Sequence, residues 1–155
     1  TSVDCDIDAY IPPSYIKNEY QKLDIYKRIS GIENEEEYMD MQDELMDRFG
    51  DIPRPVDNLL RIAALKAEAH RAYVTEVYIN RQEVRLTMYP KAKLKVENIP
   101  DLVAKYRGDL KFQAGEAPVF HFIDQRNKNR DCDPMMEKAK ELLEELNGLR
   151  KEQQL

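Results

Sequence analysis

The sequence predicts an α+β fold: a mostly antiparallel sheet of four or five strands packed with about five helices. Two observations carry this prediction. Apolar residues recur at helical spacing over most of residues 19–72, and the period changes to two at residue 74. Beyond that point, short alternating segments come in pairs joined by turn residues, as in antiparallel hairpins. The predicted order is strand, three helices, two strands, helix, two strands and helix.

The length indicates one domain with its own core. The chain has 155 residues and a mass of 18.2 kDa. We predict a single domain over residues 1–150 and a frayed tail over 151–155. The chain starts at Thr1 rather than Met, so we expect a piece of a larger multidomain protein, although loss of an initiator Met gives the same start.

The composition excludes several classes of protein. Charged residues make up 35% of the chain, and 24 basic against 30 acidic residues give a net charge of -6, which disfavours tight binding to DNA phosphates. No apolar run approaches the ~20 residues of a membrane span. Cys5, Cys132 and the two histidines show no zinc-ligand spacing. Sparse cysteine suits a reducing compartment, and we expect a cytoplasmic location.

The first strand and helix are predicted from alternation and capping. Apolar residues alternate from Val3 to Ile11, which favours a strand with one buried face. A helix is predicted over Glu19–Ser30, with Asn18 as its N-cap and Gly31 in the left-handed conformation after it. The apolar positions expected on this helix are Tyr20, Leu23, Tyr26 and Ile29.

Two further helices follow. Asn34 and Glu37 have capping-box spacing and open a helix over Glu35–Phe49, which Gly50 ends. Pro55 suits the first turn of a third helix that runs to about Ala72. The apolar stripes are Tyr38, Met41, Leu45 and Phe49 on the second helix, and Val56, Leu59, Leu60, Ala63, Ala67 and His70 on the third.

The remaining elements build most of the sheet. Val74–Ile79 and Glu83–Tyr89 are predicted to form a hairpin. A short helix is expected from Pro100 to Tyr106. The other predicted elements are strands over Leu110–Ala114 and Val119–Ile123, and a last helix from Asp133 with Met135, Ala139, Leu142, Leu143, Leu146 and Leu149 on its apolar side.

Catalytic patterns are missing from the sequence. Neither a Walker-type phosphate loop nor a GxGxxG sequence occurs, which argues against nucleotide hydrolysis within this chain. His70 and His121 lie in apolar stretches, and we interpret both as structural. Cys5 is interpreted as a small buried hydrophobe. Cys132 lies in a polar loop, where its thiol could react. We therefore predict no catalytic residue and no metal site.

The second helix carries an acidic face. At about 100° per residue, seven carboxylates fall within an arc of about 120° opposite the apolar stripe. Their mutual repulsion has a local electrostatic cost, which two interpretations explain. Either the face is solvated or paired with Lys22, Lys27 or Arg28, or it docks on a basic partner. The acidic face comprises Glu33, Glu36, Glu37, Asp40, Asp43, Glu44 and Asp47.

A basic loop and a group of tyrosines could each bind a partner, but both also have a purely structural explanation. The loop from Gln125 to Arg130 holds three cations that could contact phosphate, and a solvated loop is the interpretation we favour. Four tyrosines cluster early in the chain and could rim an interface, although core tyrosines with exposed hydroxyls explain them as well. They are Tyr10, Tyr15, Tyr20 and Tyr26.

Linked sequence strings identify a family resemblance. They are D-A-Y-I-P from Asp8, Y-K-R-I from Tyr26 and D-R-F-G-x-x-P from Asp47, with P-V-x-N-L-L from Pro55. Together they resemble the C-terminal (TRCF) domain of the bacterial transcription-repair coupling factor, Mfd. The match is dense over residues 8–66 and weak afterwards. The family often has Leu-Gly-Ile after the third helix, where this chain has Ala72-Tyr73-Val74.

The resemblance implies a regulatory role. The coupling factor is an ATP-dependent DNA translocase that engages stalled RNA polymerase and recruits UvrA. Its ATP and Mg sites would lie in motor domains outside this chain. The C-terminal domain would have no cofactor, dock on the UvrB-like N-terminal module and mask the UvrA-binding surface. In the family, acidic residues before R-F-G face basic residues there, and these correspond to Glu44 and Asp47.

Candidate partner-binding residues are therefore Glu37, Asp40, Glu44, Asp47 and Arg48. One alternative is a protein-interaction or nucleic-acid-binding module of another DNA repair helicase, with the loop 126–130 contacting phosphate. Another is an enzyme with a hidden carboxylate site. The sequence leaves both open.

Overall fold

The computed structural model describes residues 1–90, 96–126 and 128–153. The chain divides into two compact units within the range predicted as one domain. A helical unit comprises Ile7–Ala67, and a sheet unit comprises Thr1–Asp6 together with the chain from Glu68 onward.

The described residues of the sheet unit form five strands in a mixed sheet. Strands β1 and β2 are parallel, and the other neighbouring pairs are antiparallel, in the order β1-β2-β3-β5-β4. This confirms the predicted α+β class and its mostly antiparallel sheet. The strands are β1 (Ser2–Cys5), β2 (Val74–Ile79), β3 (Glu83–Met88), β4 (Leu110–Gln113) and β5 (Val119–Ile123).

The part of the chain that the structure describes also forms five α-helices, as predicted. Helices α1 and α2 lie in the helical unit, α3 runs across the division between the units, and α4 and α5 lie in the sheet unit. A 3₁₀ turn, Val96–Asn98, precedes α4. The helices are α1 (Glu19–Ser30), α2 (Glu35–Phe49), α3 (Arg54–Arg71), α4 (Ile99–Lys105) and α5 (Asp133–Gln153). Residues 154–155 of the predicted tail lie outside the described residues.

Each unit has its own buried apolar residues. In the sheet unit, alternate residues of β3 are buried, as are Val74, Val77 and Ile79 of β2, whose register shifts between Val74 and Glu76. Helix α5 packs against both strands. In the helical unit, one cluster joins all three helices to the chain before α1. That cluster contains Ile11, Ile16, Ile25, Ile29, Ile32, Met41, Leu45, Val56, Leu60 and Ala63.

The first strand is shorter than predicted. Strand β1 pairs with β2, which ends at Ile79 opposite Cys5, so the ladder stops once Asp6 N has donated to Ile79 O at 3.3 Å. Burial nevertheless alternates through to Ile11, because the following residues are held by the helical unit instead. There the Ile11 amide donates to the Tyr26 hydroxyl at 2.7 Å.

The helix caps follow the sequence closely, with one correction. The Asn18 side chain accepts from the Tyr20 and Gln21 amides, and Asn34 accepts from the Glu37 amide. Gly50, with φ 91°, adopts a conformation that side chains resist, and it ends α2 as predicted. Gly31 is not left-handed: its φ is -91°, and its amide closes a tight turn onto Arg28 O at 3.2 Å.

The predicted apolar face of α1 is partly wrong. Its buried residues are Ile25 and Ile29, whereas Tyr20 is 85% exposed and Leu23 is 64% exposed. Ile25 and Ile29 stand four residues apart and so lie above one another on the helix, which directs that face into the core. His70 of α3 is also exposed rather than part of an apolar face.

Leu60→Ala should lower the free energy of unfolding by about 2–5 kcal/mol, because Leu60 is fully buried and its removal leaves a cavity. Leu59 is only partly buried, so Leu59→Ala should lower the free energy of unfolding by less. Leu23→Ala, in the same unit but exposed, is the matched control and should change stability by less than about 0.5 kcal/mol. Urea denaturation measures all three. Equal losses for Leu60→Ala and Leu23→Ala would contradict this packing.

Candidate protein-docking surface

The acidic face of α2 separates into carboxylates with different local roles. Of its seven carboxylates, one forms ion pairs, one caps the helix and four form an exposed row, while Glu33 precedes the helix. The structure therefore confirms pairing with Arg28 for one carboxylate and solvent exposure for the row, and docking on a basic partner stays a prediction.

Glu44 is held by two arginines. Arg28 of α1 donates to both of its oxygens, with Nη2 at 2.6 Å from Oε1, and Arg48 Nη1 lies 2.9 Å from Oε2. These bonds, above all those from Arg28, lower the pKa of Glu44 to about 2. The predicted pairing of the face with Arg28 thus applies to Glu44, which connects helix α1 to helix α2.

Glu37 completes the helix cap. Its Oε2 accepts from the Glu33 amide at 2.8 Å, while its own amide donates to Asn34 Oδ1 at 2.8 Å. The reciprocal bond of the predicted capping box therefore reaches one residue further back than Asn34. Glu37 remains exposed, but one of its oxygens is committed to the start of the helix.

Four carboxylates form an exposed row that we call the acidic strip. Glu36, Asp40, Asp43 and Asp47 are all exposed, and none forms an ion pair with any other described residue. Their spacing of four, three and four residues aligns them along α2 over roughly 16 Å. The strip is a line of uncompensated negative charge on a rigid element.

Two methionines border the acidic strip. Met39 is 54% exposed and Met46 is 53% exposed, and their separation of seven residues places them on one side of α2 two turns apart. Sequence reasoning assigned only the buried stripe and missed this pair. Counting positions around the helix would have found them, because both lie next to Asp43 and far from buried Leu45.

The C-terminal end of α2 is fixed within the helical unit. The Tyr15 hydroxyl donates to Leu45 O at 3.2 Å and to Gly50 O at 2.9 Å. The Tyr15 and Phe49 rings are 5.8 Å apart, and the Arg48 guanidinium lies 4.9 Å from the Phe49 ring.

The four early tyrosines fall into two pairs. Tyr15 and Tyr26 are partly buried and their hydroxyls are hydrogen-bonded, whereas exposed hydroxyls were expected. Tyr10 and Tyr20 are exposed.

His121 and Cys132, two candidate reactive residues outside α2, both form hydrogen bonds within the sheet unit. His121 Nε2 lies 2.5 Å from Glu83 Oε2, so this imidazole is bonded as a structural histidine would be. Cys132 is buried: its thiol donates to Asp6 O at 3.2 Å, and burial raises its pKa, which disfavours the reactive thiolate. Within the described part of the chain, no three metal-binding side chains cluster, and no helix is long and apolar enough to cross a membrane.

Comparison with known proteins matches residues 5–99 to the TRCF domain. The chain is 37% identical over 97 residues to the transcription-repair-coupling factor of Bacillus subtilis, covering 63% of this chain and 8% of that protein. It is 38% identical over 90 residues to the transcription-repair-coupling factor of Staphylococcus haemolyticus, covering 58% of this chain and 8% of that protein. A crystal structure of the C-terminal domain of transcription-repair coupling factor matches with TM-score 0.68 at 28% identity, covering 95% of this chain and 93% of that chain.

Glu44→Gln should destabilise the chain by about 0.5–1 kcal/mol at pH 7 and by progressively less as the pH falls from about 5 towards 2. A carboxylate with a lowered pKa stabilises the fold only while it is ionised, so wild type loses this contribution in acid. Thermal unfolding of both proteins between pH 7 and pH 2.5 measures the difference. Asp47→Asn is the control without an ion pair, and a difference for Glu44→Gln that stays constant with pH would contradict the assignment.

Proposed function

The chain belongs to the TRCF domain family, and on that basis we propose that it is the non-catalytic regulatory domain of a transcription-coupled DNA repair translocase. The domain docks on the UvrB-like N-terminal module of the parent protein and masks the UvrA-binding surface. RNA polymerase engagement favours release of the domain. The observation that supports docking most is the acidic strip of α2, which has no charge partner among the described residues.

The carboxylates of the acidic strip repel one another and so destabilise α2, and docking on a basic surface relieves this repulsion. Like charges four residues apart, such as Glu36 and Asp40 or Asp43 and Asp47, destabilise a helix by about 0.2–0.5 kcal/mol per pair. Asp47 also lies near the C-terminal end of α2, where the helix dipole disfavours an anion. A basic partner surface offsets both the repulsion between the carboxylates and the unfavourable interaction with the helix dipole. Charge complementarity therefore favours a cationic patch on the UvrB-like module.

Met39 and Met46 supply the apolar part of the same surface. Interfaces combine apolar anchors with charged neighbours, and methionine adapts its shape to a partner. Burial of these two side chains stabilises the docked state, while the carboxylates of the strip set the orientation. The candidate surface is therefore amphipathic rather than purely acidic.

The candidate residues have different roles in this proposal. Asp40 and Asp47 contact cations of the partner directly. Glu37 keeps the start of α2 in place through its cap, and Glu44 holds Arg48 at the border of the strip. Charge-assisted bonds of this kind are worth about 1.5–3 kcal/mol when shielded and much less when exposed.

Docking defines a two-state switch. In the closed state the strip is paired and the UvrA-binding surface is covered; in the open state both are exposed. The domain shifts this equilibrium only through contacts that differ between the two states. The proposal places no cofactor in this domain, assigns ATP and Mg to the motor domains of the parent, and places the protein in the cytoplasm.

The purified chain should not hydrolyse ATP. Its sequence has no Gly-rich phosphate-binding loop, so it lacks the usual means of holding the β- and γ-phosphates. Phosphate release from ATP and Mg should equal the buffer blank. Turnover that copurifies with the chain through two further columns would contradict the non-catalytic assignment.

Asp40→Lys with Asp47→Lys should activate the parent protein. The two reversals replace attraction by repulsion and leave both the buried stripe and the Glu44 ion pairs intact. UvrA affinity and DNA-independent ATPase should both rise about fivefold or more, within the ~1–3 kcal/mol range of typical coupling energies. A gain of activity also distinguishes the result from a folding defect.

The control carries the same change of charge in the sheet unit. Glu116 and Glu144 are exposed, so Glu116→Lys with Glu144→Lys adds four positive units of charge without touching α2. This control should leave UvrA affinity and ATPase unchanged. Equal effects of the two double variants, or no effect of the α2 variant in a folded protein, would overturn the proposed docking surface.

A further inference from the structure

An open cleft lies in the sheet unit, beyond the surface described above. It has a volume of about 460 Å³ and lies between the β2–β3 turn and the loop that follows β5. Its lining contains two cations, one carboxylate and three amides. These residues are Asp6, Asn80, Arg81, Gln82, Lys128 and Asn129.

Hydrogen bonds hold the two walls of the cleft together. The Asn129 side chain donates to Arg81 O at 2.8 Å and to Asp124 Oδ2 at 3.3 Å, and the Asp124 amide donates to Gln82 O at 2.7 Å. Asn80 shapes the turn itself, because its Oδ1 accepts from the Gln82 and Glu83 amides. Asn80 and Asn129 therefore build the cleft, and the cations remain available for a ligand.

The cations around the cleft form no ion pairs with the residues that the structure describes, whereas neighbouring carboxylates accept hydrogen bonds. Arg81, Arg126, Lys128 and Arg130 are exposed, and none forms an ion pair within the described part of the chain. The neighbouring acids are engaged instead: Asp124 accepts from Asn129, and Asp131 accepts from the Asp133 amide at 3.0 Å. Two cations lining the cleft and two flanking it thus form no ion pair with any described residue.

We infer that this cleft contacts the phosphodiester backbone of a nucleic acid. Arg81 and Lys128 against Asp6 give the lining a net charge of one positive unit, which matches a singly charged phosphodiester better than a phosphate dianion. The cleft is open at the surface, as backbone contacts require, and the side-chain amides of Asn80 and Asn129 already bind within the protein. Its ligand is therefore recognised by charge and not by base sequence.

This contact is weak in the isolated chain. The net charge of -6 repels nucleic acid at long range, which fits the expectation that the chain does not bind DNA tightly. In a protein already held on nucleic acid by other domains, a high local concentration makes a weak contact effective. The inference is independent of the proposed docking surface, since it uses neither α2 nor the helical unit.

Fluorescence anisotropy of a labelled 12-nucleotide single strand, titrated with the 155-residue chain at low salt, tests the inference. We expect a dissociation constant above about 10 μM and a log–log salt slope of about -1.4 to -2.8, corresponding to two to four phosphate contacts. Arg81→Gln with Lys128→Gln should weaken binding about tenfold, with an unchanged circular dichroism spectrum.

The matched control removes two exposed cations of the other unit, through Lys17→Gln with Lys66→Gln, and should change binding less than about twofold. Equal weakening by both double variants would show a general charge effect and overturn the inference. Displacement of the strand by inorganic phosphate beyond that by chloride of equal ionic strength would reveal a small-anion site and also overturn it. So would the absence of any binding by wild type.

Discussion

The ion pairs of Glu44 determine which charges α2 can offer to a partner. Arg28 and Arg48 both pair with this one carboxylate, which joins α1 to α2, and the strip from Glu36 to Asp47 is left without an ion pair among the described residues. Tyr15 fixes the same end of α2 through two backbone carbonyls. The helical unit is thereby a rigid platform on which the acidic strip has a defined geometry.

That geometry suits a contact that must be reversible. Exposed carboxylates bind a basic surface strongly only when water is excluded, so the energy of the closed state depends on the fit between the two surfaces. In the proposed closed state, the exposed Met39 and Met46 would provide that exclusion of water at the border of the strip. Under the proposed function, a surface of moderate strength allows RNA polymerase engagement to shift the equilibrium, which a tightly buried interface would resist.

The fold was largely predictable because its local signals agree with its packing. Asn18 and Asn34 cap the helices that they were expected to cap, and the change of period at residue 74 marks the sheet. The errors, and the choice among partners that the sequence left open, arise where tertiary structure decides. The length of β1 depends on where β2 ends, the buried face of α1 depends on Ile25, and the partner of Glu44 comes from another helix. None of these is a property of a single segment, and the role of Glu44 required distances that the sequence does not contain.

Site-specific photo-crosslinking in the intact parent protein tests the docking claim most directly. A benzophenone amino acid in place of Met46, which is exposed beside the acidic strip, should form an adduct with the UvrB-like N-terminal module in the absence of RNA polymerase. The same probe in place of Tyr20, exposed on α1, should form little of that adduct. Asp40→Lys with Asp47→Lys should abolish the Met46 adduct. An adduct of the Met46 probe in any other domain, or one that survives both reversals, would contradict the account.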